Sequence, residues 1–140
     1  MRPLYETAAD RVRQDSVIQS FNHRYGSSSV EMAPRCRWDF EIFRGGQLVA
    51  LAEVKCPNAT LGKYPTYMIS STKVNAILDA CAHQRLSPLL IVQWTDLCGW
   101  VRLDSVSMFF DYGGRRDRND PQDMEHVYRI ATSKFVQFTR

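Results

Sequence analysis

The sequence predicts an α/β fold, a mixed central β-sheet flanked by helices. Two observations carry this. Residues 37–55, RWDFEIFRGGQLVALAEVK, hold two alternating apolar segments joined by Gly45 and Gly46, the pattern of a half-buried antiparallel hairpin. Further on, a helical pattern from Ser70 to about Arg85 runs into LLIVQW, Leu89–Trp94, a short apolar run between Pro88 and Thr95. A helix feeding a doubly buried strand is how a parallel crossover is built, and it lays the helix across the sheet.

The chain of 140 residues, 44% of them apolar, is long enough for one hydrophobic core and is read as a single domain, residues 1–140. No apolar run approaches the roughly 20 residues of a membrane span. The start, MRPLYETAADRVR, lacks the apolar core of a signal peptide, so a cytoplasmic, or at least intracellular and nucleic-acid-associated, protein without a membrane partner is expected. Cys36, Cys56, Cys81 and Cys98 are widely spaced, without a C-x-x-C pair, which argues for reduced thiols rather than a zinc or iron–sulfur site. A net charge of +3 permits a nucleic-acid partner without demanding one.

Pro3 to about Phe21 reads as a first helix, with Leu4, Ala8, Val12 and Ile18 or Phe21 near one stripe and Pro3 suited to the first turn. Residues 23–34 read as a loop with a short extended piece at Val30–Met32. In the hairpin, alternation sets Trp38, Phe40 and Ile42 on one face and Asp39 and Glu41 on the other. In its second strand Leu48, Ala50, Ala52 and Val54 share one face, and Val49, Leu51, Glu53 and Lys55 the opposite one. A two-residue loop would set Asp39 opposite Ala52. A three-residue loop, Gly45–Gln47, sets it opposite Glu53, keeps every face consistent and is the preferred register. Two carboxylates then stand a few ångströms apart with the Lys55 ammonium on the same face. Such a pair repels unless a cation sits between its members. A hard divalent ion that takes one or two protein carboxylates is the natural resolution, and the bland alternative is an exposed salt bridge.

Cys56–Pro65, with two prolines and a glycine, is a loop in which Lys63 and Tyr64 are placed to touch a phosphate or stack on a base. The helix from Ser70 is capped by Ser71 or Thr72 and carries Val74, Ile77, Leu78 and Cys81 at helical spacing. Lys73 sits in its first turn, against the helix dipole, where a phosphate would be a natural partner. Trp100–Leu103 is a further strand, and 104–112 serves either a short helix or an edge strand. Residues 113–123, GGRRDRNDPQD, form a polar loop whose Arg115 and Arg116 could contact nucleic acid. Val127–Ile130 is a strand and Ser133–Phe138 a terminal turn. The sequence holds no repeat, no Walker-type glycine loop and no G-x-S-x-G.

Asp39, thirteen intervening residues, then Glu53-Val54-Lys55 at the end of an apolar strand resembles the core motif of the PD-(D/E)XK nuclease superfamily, with Trp38 where the family name has proline. The resemblance covers roughly residues 1–105. It implies a restriction-endonuclease-like core and hydrolysis of DNA phosphodiesters by a metal-activated water. The cofactor it implies is Mg2+, with Mn2+ able to substitute. It implies Asp39, Glu53 and the backbone carbonyl of Val54 as metal ligands, and Lys55 as the residue that positions the water and offsets charge. It also implies an acidic residue on the first helix reaching the site, Glu6 first and Asp10 second, and a basic residue facing the site from the helix after the motif, which Lys73 matches. Lys63, Lys73, Arg115 and Arg116 are the expected nucleic-acid contacts. A homodimer would supply cuts on two strands. The alternative is a catalytically inactive nuclease-like domain that binds nucleic acid or a protein partner.

Overall fold

The computed structural model describes residues 8–114 and 124–139. Helix α1 spans Ala8–Tyr25, followed by β1 (Ser28–Glu31), β2 (Phe40–Arg44) and β3 (Gln47–Lys55). Then come β4 (Thr66–Ser70), α2 (Ser71–Gln84), β5 (Ser87–Gln93) and β6 (Cys98–Arg102). The chain ends with β7 (Phe109–Gly114), β8 (Met124–Ala131) and β9 (Val136–Phe138). The main sheet has the order β1-β2-β3-β5-β6-β9, and β4-β8-β7 form a second, antiparallel sheet. Strands β3 and β5 are parallel and every other neighbour pair in the main sheet is antiparallel, so the sheet is mixed, as the sequence predicts.

Both faces of β3 and β5 are covered, which is why they read as nearly unbroken apolar runs. On one face Ala50, Ala52, Val54, Leu89 and Ile91 pack with Phe40, Ile42 and Val17, Ile18 and Phe21 of α1. On the other, Leu51, Leu90, Val92 and Val101 pack with Val74, Ile77 and Cys81 of α2. The parallel β3–β5 register sets Lys55 beside Val92, with α2 in the connection between the two strands. Among the described residues no helix is long and apolar enough to cross a membrane.

Several expectations are corrected. The buried stripe of α1 is Val17, Ile18, Phe21 and Asn22, while Val12 is 69% exposed. Nine residues at about 100° each put Val12 roughly half a turn from Phe21, so the two cannot share a stripe. The helix also runs on to Tyr25, and its expected start lies outside the described residues. The hairpin turn is the two-residue one: Gly45 and Gly46 take positive φ (+54° and +78°) and Arg44 pairs with Gln47. A bulge between Ile42 and Phe43, facing Leu48 and Ala50, then adds the residue that the three-residue loop would have supplied. Phe40 consequently pairs with Ala52, and the preferred register is restored at the far end. Val49, the extra residue, turns to the α1 side instead of sharing the face of Leu51. Trp38 precedes β2 in a bend and packs on the α2 side, away from Phe40 and Ile42.

Ser70, not Ser71 or Thr72, caps α2, and it makes no side-chain cap bond; its hydroxyl donates to a Glu125 carboxylate oxygen at 3.0 Å. The strands β4 and β9 lie where the sequence showed none, and the ambiguous 104–112 stretch ends in β7. Gly113 and Gly114 also belong to β7, not to the polar loop.

Replacing Ile77, 1% exposed in the core cluster that α2 forms with the main sheet, with Ala leaves a cavity and is expected to lower stability by about 2–5 kcal/mol, whereas Val12→Ala should change it by less than about 0.5 kcal/mol. Urea denaturation of the two variants checks the contrast.

Candidate active site

The period-2 geometry of β3 turns Glu53 and Lys55 to the α2 side at the carboxyl end of the strand. Asp39 reaches them from the entry to β2. Its backbone N–H donates to the Ala52 carbonyl at 2.9 Å, and its Oδ2 accepts the Val54 N–H at 2.8 Å. The backbone between the two acids thus fixes the Asp39 carboxylate against β3.

Glu53 is only 2% exposed. Its Oε1 accepts a hydrogen bond from Lys73 Nζ at 3.0 Å and lies 3.2 Å from Lys55 Nζ, while Oε2 is buried with no hydrogen-bond partner among the described residues. A buried carboxylate is tolerated only when paired, and the two ammonium groups pair this one through a single oxygen. Burial, and then the neighbouring Glu53 charge, push the Asp39 carboxyl up to about 6, against the opposing pull of the Val54 N–H, Lys55 and Lys73. For Lys55 burial works against the ammonium, yet the attraction of Glu53, Tyr67 and Asp39 outweighs it and raises the pKa. Burial holds the Tyr67 phenol at about 12, opposed by Lys55 and reinforced by Glu53, so the ring sits within the same electrostatic cluster.

Of the residues predicted from sequence, Asp39, Glu53, Lys55 and Lys73 come together. The Val54 carbonyl is adjacent and accepts Gln14 Nε2 at 3.2 Å. Among the described residues no hydrogen bond or ion pair joins Lys63 to them; it lies in a 3-10 turn with its ammonium 5.5 Å from the Tyr64 ring centre. Asp10 is ion-paired with Arg13 one turn along α1. Glu6, Arg115 and Arg116 lie outside the described residues.

Two residues were missed. Gln14 carries α1 to the site, and its signal was present: Gln14, Val17, Ile18 and Phe21 follow the i, i+3, i+4, i+7 spacing of a buried face. Tyr67 gave no local signal, because its position depends on β4 pairing with β8, 63 residues further on for its partner Ile130.

The donor set suits a hard cation. Among the described residues no cluster of three or more His, Cys, Asp or Glu exists, but two carboxylates with a backbone carbonyl match the few protein ligands magnesium takes. The buried Glu53 Oε2 is an acceptor that meets no donor among the described residues, which is the state expected of an oxygen kept for an ion.

No curated protein matches the chain. Among solved structures it resembles the 1.6 Å structure of Archaeoglobus fulgidus Hjc, a Holliday junction resolvase from an archaeal hyperthermophile, with a TM-score of 0.62 and 10% sequence identity over 94% of this chain and 93% of that one. At that identity the likeness shows the fold, which is restriction-endonuclease-like. Residues 1–138 match the model of the family described as "Phage putative PDDEXK endonuclease". The chain belongs to this endonuclease family.

Proposed function

We propose that the chain is a magnesium-dependent nuclease that hydrolyses DNA phosphodiester bonds. The observation that carries this reading is the convergence of Asp39 and Lys55 on Glu53, a buried carboxylate whose Oε1 faces the Lys55 ammonium while its Oε2 has no hydrogen-bond partner among the described residues. Asp39, Glu53 and the Val54 carbonyl would hold the ion, with Mn2+ able to take the place of Mg2+. When bound, the ion supplies a more acidic water and offsets negative charge on the phosphoryl oxygens.

The chain's own groups do the rest. Lys55 stays protonated beside Glu53, so it serves as a fixed cation and hydrogen-bond donor, orienting water and offsetting charge at the phosphate, rather than as a base. Lys73, in the first turn of α2, offers a second ammonium that can exchange Glu53 for a substrate phosphate. The Val54 N–H holds Asp39 in place, and Gln14 holds the Val54 carbonyl. The resolvase neighbour makes branched DNA a substrate to include in assays. Cutting two strands of one molecule would call for two such sites, as in a homodimer, and an intracellular location accompanies a DNA substrate.

Glu53→Gln and Lys55→Ala should each lower magnesium-dependent cleavage of linear, circular, single-stranded and branched DNA by about 100-fold or more. Circular dichroism and thermal melting would establish that both remain folded. A variant that is folded and cuts as fast as the parent sinks the assignment.

The raised Asp39 carboxyl carries a pH signature in metal-free protein. Between its ordinary value of 3.8 and about 6 the folded chain binds a proton at Asp39 that the unfolded chain has released. The favourable contribution of this protonated form is therefore fully present below about pH 4 and lost as pH rises through about 6. Asp39→Asn, which cannot ionise, should gain on the parent across that window by on the order of 2 kcal/mol. Chemical denaturation of both proteins in EDTA at pH 4, 5, 6 and 7 measures it; a constant difference contradicts the burial of this carboxylate.

A further inference from the structure

Outside the catalytic cluster, the small sheet leaves a row of aromatic rings in water. The β7–β8 register sets Phe110 opposite Tyr128 and Tyr112 opposite His126, so all four share one face. Phe110 is 62% and Tyr112 58% exposed. The His126 ring stacks on Phe110, centroids 5.0 Å apart at 17°, with Tyr112 at 5.5 Å on a tilt and Tyr128 5.7 Å from Phe110.

The row is continuous with the proposed site. Tyr128, its inner member, packs on the α2-side core and donates its hydroxyl to Asn75 Oδ1 at 3.1 Å. Across β4–β8 Tyr128 pairs with Ile69, which shares its sheet face and its core cluster with Tyr67, the tyrosine that lies by Lys55 and Glu53. The Ser70–Glu125 hydrogen bond ties the start of the same helix to β8, holding the sheet against the cleavage centre. The rings thus lead from the first turns of α2 outward into solvent.

Flat rings that include a histidine and two tyrosines suit a planar, partly polar partner better than an aliphatic one. Unpaired nucleobases offer such faces; within a duplex the faces are already stacked on one another, and apart from the two terminal pairs only edges and phosphates are presented. We propose that Phe110, Tyr112, His126 and Tyr128 form a stacking platform for unpaired bases, so that the substrate carries a single-stranded segment next to the phosphate that is cut. This rests on the nuclease reading above and names its substrate class. The competing occupant is a second copy of this chain, because β7 is the outer strand of its sheet.

The test compares the parent with Phe110→Ala/Tyr112→Ala, two exposed positions outside the cleavage cluster, with thermal melting to show that the variant is folded. Binding of labelled single-stranded DNA, flapped duplex and blunt duplex is measured by fluorescence anisotropy in EDTA, and cleavage of the same DNAs separately with Mg2+ or Mn2+. The parent should bind the two DNAs with unpaired bases more tightly than blunt duplex, and the double substitution should weaken those two by about tenfold or more while leaving blunt duplex unchanged. A parent without that preference, or a variant that loses affinity equally for all three, overturns the platform. So does a variant that merely turns a dimer into a monomer by analytical ultracentrifugation with the preference intact. A parent that shows the preference, loses it on substitution, but cuts nothing supports the platform and sinks the nuclease reading instead.

Discussion

Glu53 is the constraint around which the active end of this protein is built. A carboxylate almost wholly removed from water has to be compensated, and here two ammonium groups from different elements, Lys55 on β3 and Lys73 on α2, converge on one of its oxygens. The other oxygen has no hydrogen-bond partner among the described residues. A structural ion pair would be expected to satisfy both oxygens, since an unsatisfied buried acceptor costs on the order of 1–3 kcal/mol. The arrangement makes sense when the bare oxygen, with Asp39 close by, is reserved for a cation that is itself part of the working site.

The fold exists in the form that makes this placement rigid. Strands β3 and β5 run parallel through the centre, packed on both faces, and end together at the level of Lys55 and Val92. The connection between them contains α2, whose first turn carries Lys73. On the opposite face α1 delivers Gln14 to the Val54 carbonyl, so each side of the motif strand is held by a different helix. The second sheet adds Tyr67 from β4 to the same cluster and continues outward as aromatic rings. The proposed cleavage centre and the proposed platform are therefore two ends of one packed assembly.

The motif strand was legible in the sequence because a period of two assigns faces without any knowledge of tertiary contacts, and Glu53 and Lys55 on one side of an apolar strand stand out. The helix-then-buried-strand crossover was legible for the same reason, and so was Lys73, from its unfavourable place in a first turn. What was not legible depends on packing at a distance. The bulge near Val49 leaves no mark in composition, and two errors in the hairpin, its loop length and the missing bulge, cancelled at Phe40, the neighbour of Asp39. Val12 was misplaced because the stripe of α1 was anchored on a start that the rest of the helix does not continue. The short strands β4 and β9 are defined by partners, β8 and β6, that lie far away in sequence, and Tyr67 was lost with β4.

The central claim is that the Glu53 and Asp39 carboxylates form a divalent-cation site, and ligand binding to the folded state must raise stability. The most direct measurement is the thermal midpoint during titration with Mg2+ and with Mn2+. The parent should melt at progressively higher temperature with either ion, by an amount that Glu53→Gln and Asp39→Asn largely abolish. A parent whose midpoint does not move, or a Glu53→Gln variant that gains as much as the parent, would contradict it.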